Sequence, residues 1–196
     1  MSGAPFSVCV YCGSRNGTRP GYRALALALG TAIGRRGWQL VYGGGRAGLM
    51  GAVADATLAA GGTVVGVIPE SLMNLEVGHA GLTELHVVQT MHQRKQMMAE
   101  RSQAFIAMPG GIGTFEELFE VWTWRHLGYH DQPIGLLNVE GFYDPLLAFM
   151  RHTLHAGFID ASQQAMLTVH DDPATLLDRL AAEAGRAQQA DDFSRL

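Results

Sequence analysis

Lysine is nearly absent from this chain: Lys95 is the only one among 14 lysines and arginines. Cysteine occurs twice, as Cys9 and Cys12. Charged residues make up 16% of the sequence, and acids exceed bases to a net charge of -4. That balance argues against a broad electrostatic grip on nucleic acid or on an acidic membrane surface, since both need clustered cations. No apolar run approaches the length of a membrane span, and the start before Phe6 lacks the apolar core of a signal peptide. A cytoplasmic enzyme or binding protein is therefore expected. No internal repeat, low-complexity tract or linker is visible, which predicts one domain over 1–185 and a loose polar tail over 186–196.

Two nucleotide fingerprints are also missing. The first strand-to-helix turn reads Gly13-Ser14-Arg15-Asn16-Gly17, without the G-x-G-x-x-G of dinucleotide enzymes. No P-loop with G-K-[ST] occurs either, which argues against a kinase or NTPase. The C-x-x-C spacing of Cys9 and Cys12 invites a redox or metal reading. On a buried strand, however, residues three apart face opposite sides, so the pair is read as small core residues. His126 and His130 have the i, i+4 spacing of zinc pairs, but Gly128 stands between them and no third ligand is evident, so no metal is expected.

Hydrophobic residues reach 47% of the chain, and 25 residues are glycine. Apolar, β-rich segments occur at 6–11, 39–42, 63–68, 84–88, 104–108, 133–137 and 166–169. Between and after them lie helical patterns at 22–36, 49–60, 91–102, 114–127, 145–156 and 174–184. Short buried strands alternating with helices predict a three-layer α/β fold, a mostly parallel sheet with helices on both faces. Glycine-bearing turns close three strands, at Gly13-Ser14, Gly43-Gly44-Gly45 and Gly110-Gly111. In such a sheet these turns gather at one edge, where ligands bind beside the point at which strand order reverses.

The run Pro109-Gly110-Gly111-Ile112-Gly113-Thr114-Phe115-Glu116-Glu117 carries the most chemistry. Glycines at a strand-to-helix turn let the backbone approach a ligand, because no Cβ intervenes. The first-turn N–H groups and the dipole make an anion site, to which Thr114 adds a hydroxyl. Carboxylates one turn later are unexpected in a pure phosphate cradle. One phosphate suits this better than a triphosphate, which brings Mg²⁺ and a matched lysine. The helix over 91–102 offers a second half-site, with Arg94 and Lys95 adjacent and diverging by about 100°. On pattern alone, a solvated basic face remains open for it.

Together these motifs resemble the LOG (Lonely Guy) family of cytokinin riboside 5'-monophosphate phosphoribohydrolases. The resemblance rests on Gly43-Gly44-Gly45 with Gly48-Leu49-Met50-Gly51, on Met91-His92-Gln93-Arg94-Lys95, and on Pro109 to Glu117, which meets the P-G-G-x-G-T-x-x-E signature. It implies a Rossmann-like fold, usually dimeric. The implied reaction splits a nucleoside 5'-monophosphate into free base and ribose 5-phosphate, without a cofactor. It also implies Arg94 and Glu117 as catalytic, Lys95 as a substrate contact, and Gly110, Gly111, Ile112, Gly113 and Thr114 as the phosphate loop. Gly44, Gly45 and Ser14 are further expected contacts. Glu76 corresponds to a substrate-contacting glutamate, although Asn74-Leu75-Glu76-Val77-Gly78-His79 departs from the P-R-E-x-x-G form.

N-glycosidic hydrolysis passes through a ribosyl cation-like transition state, which a carboxylate stabilises directly or by activating water. Glu117 is the expected group, with Glu116 as alternate or supporting partner. Two other readings stand beside this one. A nucleotide or cofactor carrier could use the same loops without chemistry. Some family members bear the label "lysine decarboxylase", but a pyridoxal phosphate enzyme needs a Schiff-base lysine, and Lys95 is the single candidate.

Overall fold

A computed structural model describes residues 4–73, 78–186 and 191–193. Seven strands form one sheet: β1 (Ser7–Tyr11), β2 (Gln39–Tyr42), β3 (Thr63–Pro69), β4 (Glu84–Val88), β5 (Ala104–Ala107), β6 (Ile134–Leu137) and β7 (Leu167–His170). Their order is β4-β3-β2-β1-β5-β6-β7, and every pairing is parallel. The helices are α1 (Pro20–Arg35), α2 (Gly48–Ala59), α3 (Met91–Glu100), α4 (Ile112–His126), α5 (Asp144–His155), α6 (Ala161–Ala165) and α7 (Pro173–Ala184). The fold is α/β, three-layered and Rossmann-like.

Alternation along the strands sorts the core into two halves. Val8, Val10 and Cys12 face α1, α2 and α7, whereas Cys9 and Tyr11 face α3, α4 and α5. Cys9 in β1 and Cys12 just after it therefore point to opposite sides of the sheet, both buried and free of any disulfide. Burial pushes both thiols well above their ordinary range, and the nearby Glu117 charge adds to the effect. Thiols so held are poor nucleophiles and poor metal ligands.

The chain winds outward from β1 through β2 and β3 to β4, then crosses back to place β5 on the other side of β1. The turns after β1 and β5 thus part in opposite directions and leave a crevice between them. The two turns are tied together. Met108 N–H donates to the Tyr11 carbonyl at 2.9 Å, and Gly13 N–H to the Pro109 carbonyl at 3.1 Å.

Three local features differ from the sequence reading. Helix α4 begins at Ile112, two residues before the expected Thr114, so Gly113 belongs to its first turn. Helix α6 was not expected. It has only 5 residues, and it is started by a capping box in which Asp160 accepts from Gln163 N–H. The tail is not loose at 191–193. Asp192 N–H donates to the Tyr129 carbonyl at 2.8 Å, and Phe193 is buried against Trp124 and His130. One aromatic ring reaching the core seats this otherwise polar stretch.

Candidate active site

The crevice between the β1 and β5 turns opens into a cavity of about 600 Å³. Its floor is the start of α4. The first intrahelical bond runs from Phe115 N–H to the Gly111 carbonyl at 3.1 Å. The N–H groups of Ile112, Gly113 and Thr114 precede it, and the N-cap, Gly111, has no side chain to cover them. A Cβ added to Gly111 or Gly113 would meet no protein atom within 4 Å. Protein packing therefore does not require glycine at either position; the space they leave opens into the cavity. Donors, dipole and open space together suit one phosphate group.

Arg94 forms part of the opposite wall. Thr90 starts α3 with a capping box, its hydroxyl accepting from Gln93 N–H at 3.1 Å, which places Arg94 at the end of the first turn. Its side chain turns inward to the sheet. Nε donates to the Val67 carbonyl at 3.2 Å and Nη2 to the Gly43 carbonyl at 3.0 Å, and the residue is 5% exposed. A Cβ on Gly43 would overlap the guanidinium, so this glycine makes room for the cation. Buried carbonyls at the ends of β2 and β3 thus hold a permanent positive charge at the cavity wall. Glu117 lies one turn into α4 and lines the same cavity. Its charge contributes to raising Tyr11 well above its ordinary pKa, after burial and the adjacent Cys9.

The structure brings Ser14, Arg94, Gly110, Gly111, Ile112, Gly113, Thr114 and Glu117 around one space. Gly13, Gly43 and Gly110 each contribute to it, so all three glycine-bearing turns converge. Gly44 and Gly45 do not line it. Gly44 packs beside Ile68 and Leu85, and Gly45 bridges Gly78. Glu76 lies outside the described residues. Glu116 and Lys95 are also away from the cavity lining, joined to one another at 2.5 Å. Of the two adjacent glutamates, Glu117 lines the cavity and Glu116 does not.

Sequence reasoning passed over Arg15, Asn16, Tyr22 and Phe142, which also line the space. The position of Arg15 and Asn16 directly after the first glycine turn was a usable signal. Phe142 had none, because it reaches the cavity from beyond β6. It meets Tyr22 edge to face at 5.7 Å.

A family model described as possible lysine decarboxylase matches residues 50–180. The chain belongs to this family. It is 53% identical over 169 residues to a cytokinin riboside 5'-monophosphate phosphoribohydrolase of Rhodococcoides fascians, covering 86% of this chain and 85% of the relative. It is 46% identical over 173 residues to the enzyme of that name from Arabidopsis thaliana, covering 88% and 81%. Among solved structures, the molybdenum cofactor carrier protein of Chlamydomonas reinhardtii aligns with a TM-score of 0.71 at 21% identity, over 93% of this chain and 99% of that one. This last likeness concerns the fold alone.

The family's decarboxylase description can be tested on the residues. A Schiff base needs a neutral lysine beside the cofactor. Lys95 is the only lysine, and its ammonium sits between Glu116 at 2.5 Å and Glu120 at 2.8 Å. Burial alone would lower its pKa, but the two carboxylates outweigh that and raise it, so it stays charged. The residues present do not fit pyridoxal phosphate. His130 is no better as a metal ligand. Its Nε2 lies 2.9 Å from the Val121 carbonyl and its Nδ1 accepts from Gln132 N–H at 3.1 Å, so both ring nitrogens are occupied.

Proposed function

We propose that the protein hydrolyses the N-glycosidic bond of a nucleoside 5'-monophosphate, a cytokinin ribotide, adenosine monophosphate or both. Water adds across the bond from C1' to the base: hydroxyl goes to the sugar carbon and a proton to the departing base. Free base and ribose 5-phosphate result. One observation carries this reading: Glu117 and Arg94 face a single cavity whose floor is an open helix N-terminus.

The phosphate docks on the N–H groups of Ile112, Gly113 and Thr114, with Ser14 on the neighbouring turn. Its binding energy holds the ribose with C1' toward Glu117. The Glu117 carboxylate stabilises the developing sugar cation or takes a proton from water. Arg94, fixed by two backbone carbonyls, orients the carboxylate and the sugar. A carrier has no use for this pair, and the relatives' names support hydrolysis.

We further propose that the protein acts in the cytoplasm as a homodimer. No helix among the described residues is long and apolar enough to cross a membrane. Trp122 and Trp124 are core residues and do not speak for an interface. Phe119 and Phe158, 36% and 85% exposed, line one apolar depression with Met150 and Ile159 between α4 and the end of α5, and that surface does. Gel filtration at micromolar concentration is expected to give twice the mass of one chain; a monomer removes the dimer.

The reaction is tested by incubating the protein with adenosine, isopentenyladenosine, inosine, guanosine and cytidine monophosphates and measuring released base. Release from an adenine nucleotide is expected. No release from any of them overturns the reading.

A further inference from the structure

Lys95 stands next to Arg94 in sequence but not in space. Successive side chains on a helix diverge by about 100°. Arg94 turns to the ends of β2 and β3, whereas Lys95 reaches across to α4. There its Nζ donates to Glu116 at 2.5 Å and to Glu120 at 2.8 Å. These acids are one helical turn apart, and Glu117 lies between them in sequence.

We infer that Lys95, Glu116 and Glu120 form a clamp that sets the distance between Arg94 and Glu117, making them positioning residues rather than substrate ligands. The inference rests on the proposed function for the roles of Arg94 and Glu117. Three observations carry it. The backbones of α3 and α4 make little direct contact, unlike those of α1 and α2, so side chains must join the two helices that hold the reacting groups. The Lys95–Glu120 half of the link is sheltered, at 13% and 22% exposed, while Glu116 closes it from the surface at 48%. Finally, the second oxygen of Glu120 is buried without a hydrogen-bond partner among the described residues, so Lys95 anchors this carboxylate alone.

A sheltered ion pair of this kind adds little net stability, because desolvation offsets most of its attraction. Its effect is geometric. One ammonium gripping two acids at i and i+4 fixes both the separation and the rotation of α4. Rotation matters because it decides whether Glu117 faces C1'. A displacement near 1 Å at a reacting group can cost on the order of 100-fold in rate.

The test compares Lys95→Met, Lys95→Arg and Glu120→Gln with the wild type, using adenosine and isopentenyladenosine monophosphates. Both kcat and KM are measured, together with the dissociation constant of ribose 5-phosphate. For Lys95→Met, kcat is expected to fall about 10- to 100-fold while KM and the ribose 5-phosphate constant move less than about 3-fold. Lys95→Arg, which can still bridge both acids, is expected to recover most of kcat. Glu120→Gln is expected to fall about 5- to 20-fold in kcat, and it gives the same reading should Lys95→Met not fold. A tenfold rise in KM and in the ribose 5-phosphate constant at unchanged kcat would make Lys95 a substrate ligand and overturn the clamp. Unchanged kinetics in Lys95→Met, or in Glu120→Gln where Lys95→Met does not fold, would overturn it as well. A wild type that releases no base would overturn the proposed function first, and the clamp's role in it with it; an active wild type beside unaffected variants overturns the clamp alone.

Discussion

The two faces of the sheet are held by different means. On one, α1 and α2 lie almost backbone to backbone. A Cβ on Gly34 would stand 2.6 Å from that of Ala60, and one on Gly30 2.8 Å from that of Ala56. Small residues allow this approach, and the joint contains no ion pair among the described residues. On the other face, α3 and α4 stand apart and are linked by Lys95, Glu116 and Glu120, while Arg94 is moored to strand-end carbonyls. Arg94 and Glu117 both lie on the side held by polar links. Close packing of small residues gives a rigid scaffold but leaves no room for a ligand. Long polar side chains hold α3 and α4 at a distance, and Arg94 and Glu117 project from them to the cavity at the sheet's edge, where Tyr22, Leu49 and Met50 from α1 and α2 also reach.

Substitutions at the groups lining the cavity should therefore cost turnover, and those in the packed interior of either face should cost stability. The largest effect is expected from Glu117→Gln. It should lower kcat about 100- to 10,000-fold, the range of a lost acid–base or charge-stabilising group, while the melting temperature barely moves. Full turnover in this variant would remove Glu117 from the chemistry and break the contrast.

Next comes acid sensitivity on the same face, through His130. Desolvation lowers its pKa from 6.5 to about 4, and its two bonds fit only the neutral ring. Above pH 6.5 neither the folded nor the unfolded form is protonated, and the stabilisation is complete. Between 6.5 and about 4 the unfolded chain takes up a proton that the folded chain refuses, so stability falls as pH falls. The loss amounts to about 3 kcal/mol. Urea denaturation from pH 7 to 4 should show it, with a shallower slope in His130→Gln, which keeps a donor for the Val121 carbonyl. Equal slopes would show that the ring does not titrate this way.

On the close-packed face, Gly30→Val should cost about 2 kcal/mol of unfolding free energy through overpacking against α2, with kcat per folded molecule unchanged. Denaturant melts and active-site titration together would check it; a kcat defect without destabilisation would show that the two faces are not independent.

The smallest effect sharpens the role of the open floor. Gly113→Ala places a methyl group where no protein atom stands within 4 Å. It should raise the melting temperature slightly, since alanine favours the helix. It should also raise KM for the nucleotide by about tenfold through its encroachment on the phosphate. An unchanged KM would place the phosphate elsewhere.

Most of the fold was legible because it follows from alternation. Buried parallel strands are short apolar runs, and those at 39–42 and 84–88 match β2 and β4 residue for residue. Helix α6 escaped notice because a 5-residue helix has too few turns for a period, although its Asp160 and Gln163 cap was written in the sequence. Of the candidate site, the glycine loop and the acids one turn later stood out by their place between a strand and a helix, whereas Arg94 was singled out by the family resemblance, since the pattern of α3 alone fits a solvated basic face equally well. The second glycine turn was found, but Gly43 rather than Gly44 or Gly45 lines the cavity. Which glycine faces inward depends on where the Arg94 side chain comes to rest, and no spacing encodes that.

The order of apolar and polar residues, with glycine where the backbone must turn or come close, was enough by itself to determine a parallel sheet, its helices and an uncovered glycine turn at the head of α4. Such features depend on neighbours within a few positions along the chain. Tertiary structure alone decided that Lys95 turns to Glu116 and Glu120 while Arg94 turns to the sheet, and that Glu117 rather than Glu116 meets the cavity. Adjacent helical residues point about 100° apart, and which direction is inward is set by packing against strands far away in sequence.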